Sequence, residues 1–101
     1  MTLEELTNRV RTAVGDESGL KAKVKFNFGA DGFIFIDGVV KPNQVSNENA
    51  DSDITITLSM ENFQKIIDKK LSPQVALMTG RMRLKGDMRI ALRLNPVFGT
   101  E

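Results

Sequence analysis

Residues Leu71–Phe98 read LSPQVALMTGRMRLKGDMRIALRLNPVF, a pattern that predicts one strand between two short helices. Ser72 and Pro73 begin the first helix, because a serine side chain caps free amides and proline suits the first helical position. Basic and apolar residues alternate from Arg81 to Lys85, which indicates a half-buried strand. The rest of the fold must therefore be compatible with a helix–strand–helix unit at this end of the chain.

The second helix of this unit begins at Asp87, because aspartate is a good N-cap. We expect this helix to end at Asn95-Pro96, since the residue before a proline disfavours helical backbone. Most residues between these limits are apolar. A helix that is so short and so apolar must be covered by other structure.

Upstream, helical and alternating patterns predict an α+β chain. An amphipathic helix at residues 2–14 carries a capping box of Thr2 and Glu5. The segment Phe33–Ile36 is apolar on both faces, as in a central strand or a strand whose second face meets a partner or ligand. Between strands, residues 41–52 predict a loop. The remaining predicted elements are strands at 20–28, 33–40 and 53–58 and a helix at 60–70 with Ser59 as its N-cap.

The composition is that of one globular domain, which we place at residues 1–101. The chain is 41% hydrophobic, has a net charge of +1 and contains no cysteine. Disulfides and thiolate metal sites are therefore excluded. The sequence shows neither a signal peptide nor a run of membrane-spanning length, so a cytoplasmic protein is expected.

The side chains needed for most catalysis are missing, because the chain has no His, Cys, Tyr or Trp. This removes the usual general base, the common nucleophiles and zinc ligation by nitrogen or sulfur. The oxygen-rich segment 47–53 lacks the glycine and terminal glutamate of a calcium loop. We therefore predict that the protein is not an enzyme and has no metal site and no cofactor.

Several elements of the sequence, taken in order, resemble the sterol carrier protein 2 domain. The matching residues are Ile54–Ser59, Glu61-Asn62-Phe63, Pro73-Gln74, Gly80, Gly86-Asp87-Met88, Ala91-Leu92 and Leu94. The resemblance implies an α+β domain whose mostly antiparallel sheet, of about five strands, is covered on one face by helices. It further implies an apolar tunnel between sheet and helices that binds or transfers a fatty acid, a sterol or another lipid without catalysis.

By this resemblance, the lipid is expected to be buried against apolar residues of the strands and helices, with Gln74 of the matched motif orienting a polar head group. Methionines suit such a site, because their flexible side chains accept varied apolar shapes. The expected lipid-binding residues are Phe35, Ile56, Phe63, Ile67, Gln74, Leu77, Met78, Met82, Leu84, Met88 and Leu92.

Two further interpretations remain open at this stage. The methionines are also compatible with a filled core, in which case the fold is a protein-interaction or dimerisation module that pairs through the second apolar face of Phe33–Ile36. Basic residues also alternate on one sheet face, at Lys21, Lys23, Lys25, Arg81, Arg83 and Lys85. A solvated face explains them, and transient docking to an anionic membrane is the function that best fits a lipid carrier. Nucleic acid is not expected, because the only aromatic residues are phenylalanines, several of them in phase with the core.

Overall fold

A five-stranded sheet forms the centre of the computed structural model, which describes residues 2–98. The strand order is β3-β2-β1-β4-β5, and only the pair β1 and β4 is parallel. The predicted α+β fold with a mostly antiparallel sheet is thus confirmed, whereas Met1 and residues 99–101 of the predicted domain lie outside the described residues. The strands are β1 (Lys23–Asn27), β2 (Phe33–Asp37), β3 (Gln44–Ser46), β4 (Ile54–Leu58) and β5 (Met82–Gly86).

Five helices accompany the sheet, and none in the described part of the chain is long and apolar enough to cross a membrane. The predicted N-caps are confirmed, because Thr2, Ser59, Ser72 and Asp87 each accept a backbone N–H of the first turn. Thr2 also forms the predicted capping box with Glu5. The helices are α1 (Leu3–Val14), α2 (Met60–Ile67), α3 (Pro73–Met78), α4 (Met88–Ala91) and α5 (Asn95–Phe98).

Two predictions about element positions are wrong. Residues 41–52, predicted as a loop, contain the short strand β3, which forms by pairing with β2 and not from its own pattern. Asn95-Pro96, predicted as a helix stop, begins a new helical turn. Proline is tolerated in the first turn of a helix, where its missing N–H has no intrahelical partner. The dipeptide therefore starts α5, whereas α4 has already ended at Ala91.

The buried core lies on the face of the sheet that the helices cover. Phe63 of α2 packs between Phe26 of β1 and Phe98 of α5, with ring centroids 4.8 and 6.3 Å away. A salt bridge of 2.9 Å between Arg9 and Asp68 joins α1 to the residue that follows α2. The helices are therefore held to the sheet and to each other through one continuous core.

The opposite face of the sheet carries Phe35, which is only 7% exposed. Phe35 pairs with Lys25 of the neighbouring strand, so their side chains share that face. Lys25 donates to the Asn49 side chain at 2.9 Å, which places the connection from β3 to β4 over this face. Phe35, the central residue of the apolar face expected to bind a protein partner, is therefore nearly inaccessible to one, whereas Phe33 is only partly buried.

Candidate functional site

A cavity of about 930 Å³ lies between the edge strand β5 and the helices α2 to α5. Almost all of its lining comes from the last third of the chain, where the sequence pattern predicts the helix–strand–helix unit. Its lining residues are Ile66, Lys69, Leu71, Ser72, Pro73, Gln74, Leu77, Met82, Leu84, Ala91, Leu92, Leu94, Asn95 and Phe98.

The floor of the cavity is apolar and continuous with the core. Ile66, Leu94 and Phe98 line it and are buried. Met82 and Leu84 are two residues apart on β5, so both point to the helix-covered face of the sheet. Leu84 is only partly buried, whereas Met82 is 3% exposed and reaches the cavity with little of its surface.

The mouth of the cavity is apolar as well. Leu77 of α3 is 41% exposed and Leu92, at the end of α4, is 82% exposed, although both line the space. Side chains with so much exposed area mark the place where the cavity meets solvent. An apolar molecule therefore has a continuous apolar path from the surface to the floor.

Polar groups line the cavity near the connection from α2 to α3. Lys69 follows the end of α2 and has a positive φ of 63°. The chain turns at this residue, and Lys69 lines the cavity. The Ser72 hydroxyl accepts the Val75 N–H at 3.1 Å and starts α3, and Gln74 follows in its first turn. None of the lining residues within 2–98 is acidic. The cavity thus offers one cation and several neutral polar groups.

The turn between β5 and α4 fixes the wall opposite α3. Gly86 has a φ of +125°, and a Cβ there would collide with the carbonyl oxygen of Asp53. Asp87 caps α4 and binds the Arg89 guanidinium at 2.8 Å. The hydrogen bond from the Arg89 side chain is the main reason why the pKa of Asp87 falls to about 2. This carboxylate therefore serves the helix start and not the cavity.

Five of the eleven predicted lipid-binding residues line this cavity: Gln74, Leu77, Met82, Leu84 and Leu92. Ile56 and Phe63 are fully buried in the core beneath it. Ile67 lines a separate space of about 120 Å³ that also touches Phe98. Lipid contact by the five residues stays a prediction.

The other three predicted residues lie elsewhere. Phe35 points to the opposite face of the sheet, so it does not line the cavity. Met78 and Met88 are 85% and 54% exposed and do not line it either. The structure thus leaves Met82 as the one methionine of the predicted set on the cavity wall.

Sequence reasoning missed several lining residues that come from turns and helix ends. Ile66 and Leu71 were recognisable as apolar positions at the predicted helix 60–70 and its end, but the sequence did not show that they line a cavity. Lys69 and Asn95 carried no sequence signal, because their positions depend on how the helices end. Within residues 2–98 no cluster of three or more metal-ligating side chains occurs.

Fold and cavity together define a class: an α+β domain that encloses a lipid-sized space between its last strand and its helices. The chain belongs to the SCP-2 sterol transfer family, whose model matches residues 3–99. It is therefore a domain of the sterol- and lipid-carrier type.

A curated relative is similar to this chain over most of the chain's length. The chain is 30% identical over 102 residues to hydroxysteroid dehydrogenase-like protein 2 of Rattus norvegicus, a match that covers 95% of this chain and 20% of that protein. It spans about one fifth of the length of this curated relative.

Two solved structures show the same fold. Sterol carrier protein 2 of Yarrowia lipolytica in its apo form has a TM-score of 0.69 at 22% identity, over 93% of this chain and 77% of that one. Palmitated SCP2L2 from Aedes aegypti has a TM-score of 0.69 at 24% identity, over 97% and 95% of the two chains. At these identities the likeness establishes the fold.

Proposed function

We propose that this protein binds a single-chain amphipathic lipid, such as a fatty acid, in the cavity beside β5 and acts as a carrier without catalysis. The observation that carries the proposal is the cavity itself. It has an apolar floor and mouth, polar groups near the α2–α3 connection and at Asn95, and no acidic residue in its described lining. That distribution matches a molecule with a long apolar body and one polar or anionic end.

The volume suits such a ligand. Ligand cavities range from about 300 to 1,000 Å³, and this one measures about 930 Å³. At about 24 cal/mol per Å³, a dry void of this size would cost about 22 kcal/mol, more than the whole stability of a typical domain. The cavity is therefore filled in solution, and a lipid that displaces water from it gains the hydrophobic free energy.

The expected affinity follows from the buried chain. Burying about ten methylene groups, at about 0.8 kcal/mol each, contributes about 8 kcal/mol. This sets a micromolar Kd as the upper limit of the affinity from the chain alone, because the entropic cost of association is subtracted from it. Selectivity then depends mainly on the shape and length of the chain, because most of the lining is apolar. Lys69 and Gln74 favour ligands with an anionic or hydrogen-bonding end.

A carrier function without catalysis is supported by the residues present. The chain has no His, Cys or Tyr, and no carboxylate side chain within residues 2–98 lines the cavity. The family is defined by sterol transfer, and one structural neighbour was solved in palmitated form. A dehydrogenase activity is not proposed for this chain, because it matches only a fifth of the relative with that name.

The alternative of a pure interaction module is less well supported. It required the second apolar face of Phe33–Ile36 to be free for a partner and the interior to be filled. Phe35 is instead nearly buried, and the interior borders a large cavity.

The proposal is tested by displacement of a fluorescent fatty acid, with Lys69→Gln as the variant and Lys70→Gln as its matched control. Lys69 lines the cavity, whereas Lys70 does not, and both variants remove one positive charge. We expect Lys69→Gln to weaken the binding of a C16 fatty acid by about tenfold. A well-formed hydrogen bond to a charged group contributes about 1.5–3 kcal/mol, and the lower end applies because Lys69 is exposed.

The uncharged alcohol of the same chain length provides the second control. It should bind the wild type and both variants with similar affinity, because the apolar contacts are unchanged. The absence of saturable binding of any C16 ligand at micromolar concentration to folded protein would contradict the proposed function. Equal effects of the two lysine variants would instead remove Lys69 from the head-group site.

A further inference from the structure

The last strand of the sheet, β5, pairs with β4 on one side and with no strand of the described chain on the other. The opposite edge of the sheet is formed by β3, which is only 3 residues long. Arg11 also donates to the Val45 carbonyl of β3 at 3.1 Å. The edge at β3 is therefore short and partly blocked by a side chain, which leaves β5 as the longer edge.

The direction of the backbone groups on β5 follows from a hydrogen bond just beyond its end. The Asp87 N–H donates to the Asp53 carbonyl oxygen, on the β4 side, at 2.9 Å. Backbone groups of successive residues point alternately to the two sides of a strand, so those of Leu84 and Gly86 point away from β4. Within residues 2–98 these groups have no hydrogen-bond partner on that side.

The outer edge of β5 is accessible from Arg83 to Gly86, and we call this part the β5 edge. Arg83, Lys85 and Gly86 are exposed and Leu84 is partly buried, whereas Met82 is only 3% exposed. The β5 edge therefore offers the N–H and C=O of Leu84 and the N–H of Gly86 to an extended segment. Addition of a strand to such an edge is a recurring mode of peptide recognition.

The side chains along the β5 edge differ between the two faces of the sheet. Arg83 and Lys85 lie on the face opposite the helices, where their neighbours on β4 are Thr57 and Thr55. Neither cation forms an ion pair within residues 2–98. Leu84 points to the other face and lines the cavity. An added strand is therefore favoured when acidic side chains lie opposite the two cations and an apolar one lies opposite Leu84.

We propose that the β5 edge binds an extended segment of another protein in which acidic and apolar residues alternate. The backbone of this segment pairs with Leu84 and Gly86 and adds a strand to the sheet. Its carboxylates lie opposite Arg83 and Lys85, and its apolar residues pack beside Leu84. The proposal goes beyond the carrier function and does not depend on a ligand in the cavity.

A second copy of the chain is a less favourable occupant of the β5 edge. If two copies pair antiparallel about a twofold axis at Leu84, Arg83 of one copy lies opposite Lys85 of the other. Like charges directly opposite each other are destabilising, and cations on an edge strand are a common protection against self-pairing. The same cations attract an acidic segment.

The test is an NMR titration of the isotope-labelled protein with the acetylated and amidated peptide Glu-Val-Glu-Val-Glu-Val-Glu. The amide signals of Leu84 and Gly86 should shift saturably, and their hydrogen exchange should slow because both amides gain a partner. The amides of Arg83 and Lys85 face β4, so their exchange should change little. A control peptide with Lys in place of Glu should bind about tenfold or more weakly, since it places like charges opposite each other.

Two N-methylated peptides test the backbone contact with unchanged side chains and charges. One is methylated at every Val amide and the other at every Glu amide. Only one of these two sets of amides faces β5 in an added strand. One peptide should therefore bind about tenfold or more weakly, because it loses its hydrogen-bond donors, while the other binds like the parent peptide.

The charge variant is Arg83→Gln/Lys85→Gln, and its matched control is Lys21→Gln/Lys23→Gln, which removes two cations at the start of β1. All four positions are exposed, so thermal unfolding should be nearly unchanged. The charge variant should bind the acidic peptide about two- to thirtyfold more weakly, since it loses two opposite-charge cross-strand pairs. The control should bind like the wild type.

Four results would overturn the proposal: no saturable binding of the acidic peptide at about 1 mM, equal binding of the two methylated peptides, equal affinity of the charge variant and its control, or shifts of the Leu84 and Gly86 amides that depend on protein concentration without peptide. The last result would assign the β5 edge to a second copy of the chain. Fatty-acid binding should be unchanged in the charge variant, because Arg83 and Lys85 do not line the cavity. A failure of peptide binding therefore leaves the carrier proposal intact, and a failure of fatty-acid binding leaves this one intact.

Discussion

Replacing Leu84 with tryptophan should fill the cavity, whereas the same replacement at Met82 should overpack the core. The two residues lie on the same face of β5, two positions apart, and both line the cavity. Leu84 is only partly buried, so a larger side chain there has free volume beside it. Met82 is 3% exposed and has almost none.

The magnitudes follow from this difference in free volume. At Met82 the extra atoms force strained packing, which costs about 1–3 kcal/mol and lowers Tm by about 4–20 °C for a domain of this size. At Leu84 the indole covers apolar wall instead. Burying about 50 Å² more apolar surface contributes about 1 kcal/mol, so Tm should be unchanged or rise by a few degrees.

Ligand affinity should fall in Leu84→Trp, the variant that keeps its Tm, and not in Met82→Trp, the variant that loses it. An indole at Leu84 occupies space that the lipid chain needs, so a C16 fatty acid should bind at least tenfold more weakly, a loss of about 1.4 kcal/mol. Met82→Trp should retain affinity within a few-fold in its folded fraction, because Met82 contributes little surface to the cavity.

The assays are thermal unfolding by circular dichroism and displacement of a fluorescent fatty acid. The native chain has no tryptophan, so the introduced indole is also a site-specific fluorophore. Ligand should perturb its emission in Leu84→Trp far more than in Met82→Trp. Equal losses of Tm in both variants, with unchanged fatty-acid affinity for Leu84→Trp, would refute the assignment of this space as the ligand site.

Two further predictions concern the turn that supports the cavity wall. Gly86→Ala should lower the free energy of unfolding by about 1–3 kcal/mol or more, and with it the urea midpoint, because the new Cβ collides with the Asp53 carbonyl. Gly80→Ala should lower it less, because Gly80 also has a positive φ but no atom lies within 4 Å of its Cβ position. Equal losses in the two variants would contradict the steric argument. Asp87→Asn keeps a capping side chain but loses the ion pair with Arg89. Because the pKa of Asp87 is lowered from 3.8 to about 2, the stability advantage of the wild type over this variant should be complete above about pH 4 and disappear as the pH falls towards about 2. Urea unfolding across this range checks the sign, and an advantage that grows on acidification would exclude the pairing as its cause.

The sequence by itself determined the elements whose signals are local. Helix starts at Thr2, Ser59, Ser72 and Asp87 were correct, because capping depends on a side chain and amides two or three residues away. The half-buried strand predicted at Arg81–Lys85 was correct to within one residue, since β5 spans Met82–Gly86. Its alternation of basic and apolar residues allows only one assignment of the buried face. From these local elements and the family resemblance, the α+β fold could be predicted.

Side-chain direction was ambiguous wherever the pattern had no single phase. Phe33–Ile36 is apolar at every position, so alternation could not tell which of Ile34 and Phe35 faces the helices. The helix α3 has only six residues, so its periodicity did not show which of Leu77 and Met78 points inward. The structure places Leu77 on the cavity and Met78 in solvent.

Only the tertiary structure decided where the cavity lies and what closes it. The strand β3 forms because it pairs with β2, although the residues around it read as a loop. Lys69 and Phe98 reach the cavity because α2 ends early and α5 continues past Pro96. These positions depend on contacts between segments that are far apart in the chain. A local sequence pattern carries no information about such contacts.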